Sequence, residues 1–236
     1  MALTAAVALA VSWPRVVAGA RIVRMKLGTT KSVEDRVEEH GPAVRSRLTP
    51  AFEAAGVSFP PRRVLLVAFK REMRLEMYAS DDPEAGSPGL RHVKSWNVLG
   101  ASGDVGPKLR EGDRQVPEGA YAIESLNPMS RFHLALRVAY PNDVDRERAA
   151  EDGRADLGGD IMIHGSDVSI GCLAMGDEAA EELFVLTALA GVENVSILIA
   201  PCDLRIVDEP PPAGVPPWTA GLWADIRAAL DSLPAR

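Results

Sequence analysis

The feature that most limits the fold of this chain is a series of short apolar runs of strand length, each closed by turn-forming residues. Residues 64–69 and 74–79 flank a charged turn at 70–72, which predicts two paired strands. Further strands are predicted over 91–99, 120–125, 132–140, 161–164 and 195–200, with Glu111-Gly112-Asp113 and Pro117-Glu118-Gly119 as turn formers between them. Many short strands with few helices predict a mainly β domain of the α+β class.

The helical signals are fewer. Residues 32–55 have helical period, with Val33, Val37, Val44, Leu48 and Phe52 apolar, and Gly41-Pro42 is expected to divide them into two segments. A second helix is predicted over 177–191, with Asp177 as N-cap and Gly191 as terminator. After Val207 the proline-rich stretch 209–217 reads as a linker to a short amphipathic helix carrying Trp223, Ile226 and Leu230. Residues 141–160 read as the longest structureless stretch, either a solvated loop or a lid over a site.

One of the strand ends carries chemistry. Ile161, Met162 and Ile163 form a buried-strand run, so His164 falls where a side chain can be presented, and Cys172 follows after a glycine-bounded loop. A thiol attacks as thiolate, and a nearby imidazole can take its proton, so His164 is the candidate base and Cys172 the candidate nucleophile. A backbone carbonyl such as that of Gly165 could fix the ring, Gly171 permits a tight backbone whose amides would face an oxyanion, and Ser169 would brace the loop. The competing reading is a buried structural cysteine beside a core histidine. With two Cys, four His and no CxxC or HxxxH pair, no metal site is expected, and no cofactor. Cys202 is expected to be a buried structural thiol, with a disulfide to Cys172 as the alternative.

The stretch His164-Gly165, Ser169-Ile170-Gly171-Cys172 and Ala174-Met175 resembles the active-site motif of the L,D-transpeptidase catalytic domain (YkuD-like) family, and within it the YafK-like branch. In the family a His-Gly pair precedes Ser-His-Gly-Cys and then an Arg or Asn; here Ile170 and Ala174 replace the second His and the Arg, as in that branch. Gly106-Pro107-Lys108, Glu111-Gly112-Asp113, Pro117-Glu118-Gly119-Ala120-Tyr121, Arg131-Phe132-His133-Leu134 and Tyr140-Pro141-Asn142 are similar to its other elements, over about residues 32–207. The resemblance implies a β-sandwich or mixed sheet with peripheral N- and C-terminal helices. It also implies Cys172 as nucleophile, His164 as base and Gly165 as carbonyl partner, forming a thioester with peptidoglycan stem peptides. Acceptance by an amine would make a transpeptidase; acceptance by water, a hydrolase or amidase releasing murein-linked peptides or proteins. An inactive cell-wall-binding module is the third reading. Lys108, Arg131 and Tyr140 are the candidates for substrate contacts, and Ala174 is expected to face the substrate groove without a charge to offer a carboxylate.

The boundaries that follow are residues 1–28, a signal peptide or N-terminal tail; 29–60, a helical segment packing on the core; 61–207, the catalytic domain; and 208–236, linker and C-terminal helix. The uncharged start and Ala18-Gly19-Ala20 fit an export signal, so the expected location is extracytoplasmic. A formal net charge of −7 argues against nonspecific nucleic-acid binding, so no nucleic-acid partner is expected.

Overall fold

A computed structural model describes residues 30–235; the expected signal segment lies outside the described residues. The class is α+β: among the described residues eight strands form one curled sheet in the order β3-β2-β1-β8-β4-β5-β6-β7, with four α-helices. The strands are β1 (Arg63–Phe69), β2 (Arg74–Ser80), β3 (Arg91–Asn97), β4 (Gly119–Ser130), β5 (His133–Val138), β6 (Met162–His164), β7 (Leu173–Ala174) and β8 (Val195–Ala200). The helices are α1 (Val33–Ala55), α2 (Asp143–Glu151), α3 (Asp177–Ala190) and α4 (Thr219–Asp231).

Alternation along the central strands makes three layers. Val64, Leu66 and Ala68 of β1 and Val195, Ile197 and Ile199 of β8 join one apolar cluster, with Val44, Leu48 and Phe52 of α1 and Leu183 and Phe184 of α3. The intervening Val67, Phe69, Leu198 and Ala200 face the other way, onto Leu222, Trp223, Ile226 and Leu230 of α4. Side chains of period two thus feed a core on each face, so β1 and β8 read as nearly unbroken apolar runs. β4 bends the sheet: its first residues pair with β8, the rest pair with β5, and register shifts occur after Ile123 and after Asn127. The far end of this second half-sheet, β5-β6-β7, carries His164.

Three expectations need correction. The Gly41-Pro42 pair does not divide the first helix; α1 is continuous through Pro42 and Pro50. It is held at its start by a capping box between Ser32 and Asp35 and along its length by the buried Val44, Leu48 and Phe52, so packing outweighs the lost amide donors. Residues 141–160 are not structureless, for they contain α2, capped by Asn142 and Asp145 in a second capping box. Only Ala149 of α2 is buried, so no apolar stripe announced it. Asp152 just beyond it accepts from Trp218 Nε1 at 2.9 Å, and Arg148 lies over the Trp218 ring, which anchors this segment to the chain before α4. Finally, the N-cap of α3 is Gly176; Asp177 is the first helical residue and uses its side chain elsewhere.

Candidate active site

β6 and β7 run parallel, with Ile163 beside Leu173 and His164 beside Ala174. Partners in register share a face and side chains alternate, so extending the register by one residue sets Cys172 beside Met162, on the face of His164. The seven residues between His164 and Cys172 are folded back by local bonds. Ser169 Oγ accepts from the Cys172 amide at 2.9 Å and donates to the Cys172 carbonyl at 2.6 Å. Gly171, at φ +96°, makes the turn into the thiol, a conformation that a side chain resists. At the other end the Met175 amide donates to the His164 carbonyl, and the Gly176 amide to Ser166, both at 2.8 Å.

His164 is buried, and its Nδ1 lies 2.6 Å from the carbonyl oxygen of Gly165. A carbonyl only accepts, so Nδ1 carries the proton and Nε2 keeps the lone pair that a base requires. The ring of Phe132 stacks on the imidazole with centroids 4.8 Å apart. Gly165 is required by close approach: a Cβ there would stand 2.5 Å from Asp177 Oδ1 and 2.8 Å from the Phe132 carbonyl oxygen. Asp177 Oδ1 also accepts from the Ser166 amide at 2.9 Å, pinning the loop to the start of α3.

Among the described residues no hydrogen bond joins Cys172 to His164; the half-buried thiol donates to the Asp160 carbonyl at 3.5 Å. Burial pushes the Cys172 thiol above its ordinary range, against the opposing pull of a Met162 backbone hydrogen bond and the Lys108 charge. Burial pushes the His164 imidazole down, the Gly165 bond opposing. Both shifts favour the neutral forms, so the resting pair is thiol and imidazole, not thiolate and imidazolium. A prediction follows for the pH dependence of attack by Cys172. The base must be unprotonated, so the acid limb should fall below the ordinary imidazole value of about 6.5, with no second rise until pH exceeds about 8.5. Single-turnover rates across this range would show it, and His164→Asn should erase the limb; a limb centred above the imidazole value would contradict a buried neutral base.

The structure gathers Cys172, His164, Gly165, Ser169 and Gly171 at one sheet corner but leaves others apart. The amides beside Cys172 do not point at open space: that of Gly171 donates to Ser102 Oγ at 2.5 Å and that of Cys172 to Ser169. Ala174 is fully buried, bridged to Gly100, and faces no groove. Tyr140 is buried, its hydroxyl 3.3 Å from the Leu157 carbonyl, so it is a packing residue rather than a substrate contact. Lys108 and Asp113 are tied to each other, while Glu111 is exposed. Lys108 is buried with Nζ 2.6 Å from Asp113, while Glu111 and Lys108 line a cleft of about 240 Å³ with Arg114, Asp160, Ile170 and Gly171, next to the thiol. Arg131 lies in the exposed turn from β4 to β5. Cys202 is buried beside the second core, and both cysteines are free. Another hollow of about 200 Å³, lined by Tyr121, Asp145, Arg148 and Leu222, includes no residue of the 164–172 loop.

Ser102, Asp177 and Phe132 were missed as site residues. Ser102 had only the signal of a small polar residue between Gly100 and Gly103; its hydroxyl bridges the Gly171 amide and, as donor, the Arg114 carbonyl at 2.7 Å.

Residues 65–197 match the YkuD family, described as the L,D-transpeptidase catalytic domain. The chain is 35% identical to YafK of Escherichia coli strain K12 over 143 residues, 58% of this chain and 54% of that protein. It thus spans about half the length of this curated relative. Among solved structures, it is similar to the helical cell shape determining protein Pgp2 from Campylobacter jejuni, at 20% identity and TM-score 0.44 over 59% of this chain and 48% of that one. Mycobacterium tuberculosis L,D-transpeptidase 1 aligns at 15% identity and TM-score 0.32, over 58% and 61%.

Proposed function

Because the chain belongs to the L,D-transpeptidase catalytic domain family, we propose that it is a cysteine acyltransferase working on peptidoglycan stem peptides through a Cys172 thioester. The observation that carries this reading is the parallel β6-β7 pair, which sets Cys172 on the face of a histidine whose Nδ1 is committed to Gly165. As Cys172 Sγ attacks the donor carbonyl, its proton passes to His164 Nε2, and the carbonyl oxygen becomes an oxyanion. Collapse breaks the amide bond; the departing amine takes the proton from His164, leaving the thioester. An acceptor amine or water then gives its proton to His164, attacks the thioester carbonyl, and the sulfur leaves to regain a proton.

The resting thiol must swing from the Asp160 carbonyl toward the imidazole, a tightening that substrate binding commonly brings. The Gly171 amide becomes an oxyanion donor when the Ser102 hydroxyl yields its place to the substrate oxygen. Peptidoglycan lies outside the cytoplasmic membrane, so we place the action of the domain in the periplasm or cell envelope.

Mass spectrometry of muropeptides incubated with the protein, with and without an added amine, tests the proposal. Expected is a thioester adduct on Cys172 and consumption of the stem. Transfer to the amine identifies a transpeptidase, and shortened free stems in its presence identify a hydrolase or amidase. Intact stems and no adduct would leave a cell-wall-binding module and overturn the enzyme reading.

A further inference from the structure

Away from Cys172, three side chains from three elements converge: His40 of α1, His133 at the start of β5 and Glu181 of α3. We propose that they form a binding site for one divalent transition-metal ion of the zinc class. Their ligand atoms lie within 4.8 Å of one another, with His133 Nε2 3.1 Å and His40 Nδ1 3.3 Å from Glu181 Oε1. Donors about 2.0–2.1 Å from a tetrahedral zinc stand about 3.3 Å apart, which matches the separation of each imidazole nitrogen from Glu181 Oε1; an ion would take two imidazoles and a carboxylate, drawing the two rings together where needed, and keep one open position.

The second observation is the other nitrogen of His40. Nε2 is buried with no hydrogen-bond partner, 3.6 Å from Glu39 Oε2. If the ring proton sits on Nδ1 to serve Glu181, Nε2 is left a buried acceptor without a donor. If it sits on Nε2, it points toward Glu39, and the Nδ1 lone pair faces the Glu181 oxygen. A cation between Nδ1 and Oε1 resolves the second arrangement and gives a ligating histidine its usual carboxylate partner. Arg47 Nη2, 3.0 Å from Glu181 Oε2, holds the carboxylate so that Oε1 faces the two rings. The donor set, nitrogen with one oxygen, suits zinc, nickel or copper rather than calcium or magnesium.

An ion here would tie α1 and α3 to the turn that carries Phe132, the ring stacked on His164. The site is independent of the thioester chemistry, and the test keeps the two apart by working in full-length protein carrying Cys172→Ala, where the active-site thiol cannot ligate. Calorimetric titration with zinc chloride should show one equivalent bound, and cobalt(II) should give the visible absorption of a low-coordinate site. His40→Gln and Glu181→Gln, each checked for an intact fold by circular dichroism, should weaken binding at least about tenfold. No zinc uptake by the Cys172→Ala protein would overturn the proposal, leaving a hydrogen-bonded cluster only. So would an affinity unchanged in either substitution; if His40→Gln fails to fold, Glu181→Gln alone decides.

Discussion

Cys172→Ala is expected to abolish acyl transfer, lowering turnover by at least about 10⁴-fold, as removal of a nucleophile does when the remaining groups cannot form the covalent intermediate. The substitution takes one sulfur from a half-buried position whose backbone is held by Ser169, so the fold should persist with a stability change of about 1 kcal/mol or less. Cys202→Ala is the matched control. That thiol is fully buried in the cluster with Leu204 and Trp223, on the α4 side of the sheet, and its loss should cost stability while turnover stays intact. Stem-peptide consumption by mass spectrometry and urea denaturation of both variants would separate the two effects. Turnover retained in Cys172→Ala would end the thioester mechanism whatever the family, and turnover lost in Cys202→Ala with unchanged stability would move the chemistry elsewhere.

The parts of the site legible in the sequence are those contiguous in it. His164, Gly165, Ser169, Gly171 and Cys172 span nine residues, and the glycines and short apolar run that shape them can be read locally. Ser102 and Asp177 brace the same loop from distant positions, and nothing local to either residue announces a partner. The same division holds for the fold. β1, β2 and β8 were legible because their apolar runs are bounded by charged turns, while the continuity of α1 through Pro42 depends on packing beneath it. α2 was missed because a capping box alone starts it and no apolar face follows. Burial of Ala174 and Tyr140, which removes both from the substrate groove, comes from the Gly100 bridge and from carbonyls of other loops. Order along the chain reveals the reacting groups; what holds them, and what they face, is set by contacts between distant segments.

Those contacts include a deep anchor among the described residues, Glu118, and breaking it should be strongly destabilising. Glu118, nearly fully buried, accepts from Lys70 Nζ at 3.1 Å and the Gly106 amide at 2.6 Å through Oε1, and from Trp223 Nε1 at 2.8 Å through Oε2. It joins the β1-β2 turn, α4 and the loop whose Arg114 carbonyl holds Ser102. Burial pushes the Lys70 ammonium below its ordinary range, and the Glu118 charge is what chiefly opposes that. Glu118→Ala should therefore cost about 3–5 kcal/mol near neutral pH, because an ammonium is left in the interior with carbonyl and amide oxygens and without its paired carboxylate, only the weaker pull of Asp104 and Asp113 remaining. In the variant the unfolded chain binds the Lys70 proton more readily than the native one, so stability rises with pH until the unfolded lysine value of about 10.4 is passed. The deficit against wild type should accordingly shrink between pH 7 and about 9.5. Adding Lys70→Met to Glu118→Ala, which removes the stranded charge, should recover much of the loss. Urea denaturation of the three proteins at both pH values measures each step, and a deficit that neither alkaline pH nor Lys70→Met reduces would show that Glu118 acts through Gly106 and Trp223 rather than through Lys70.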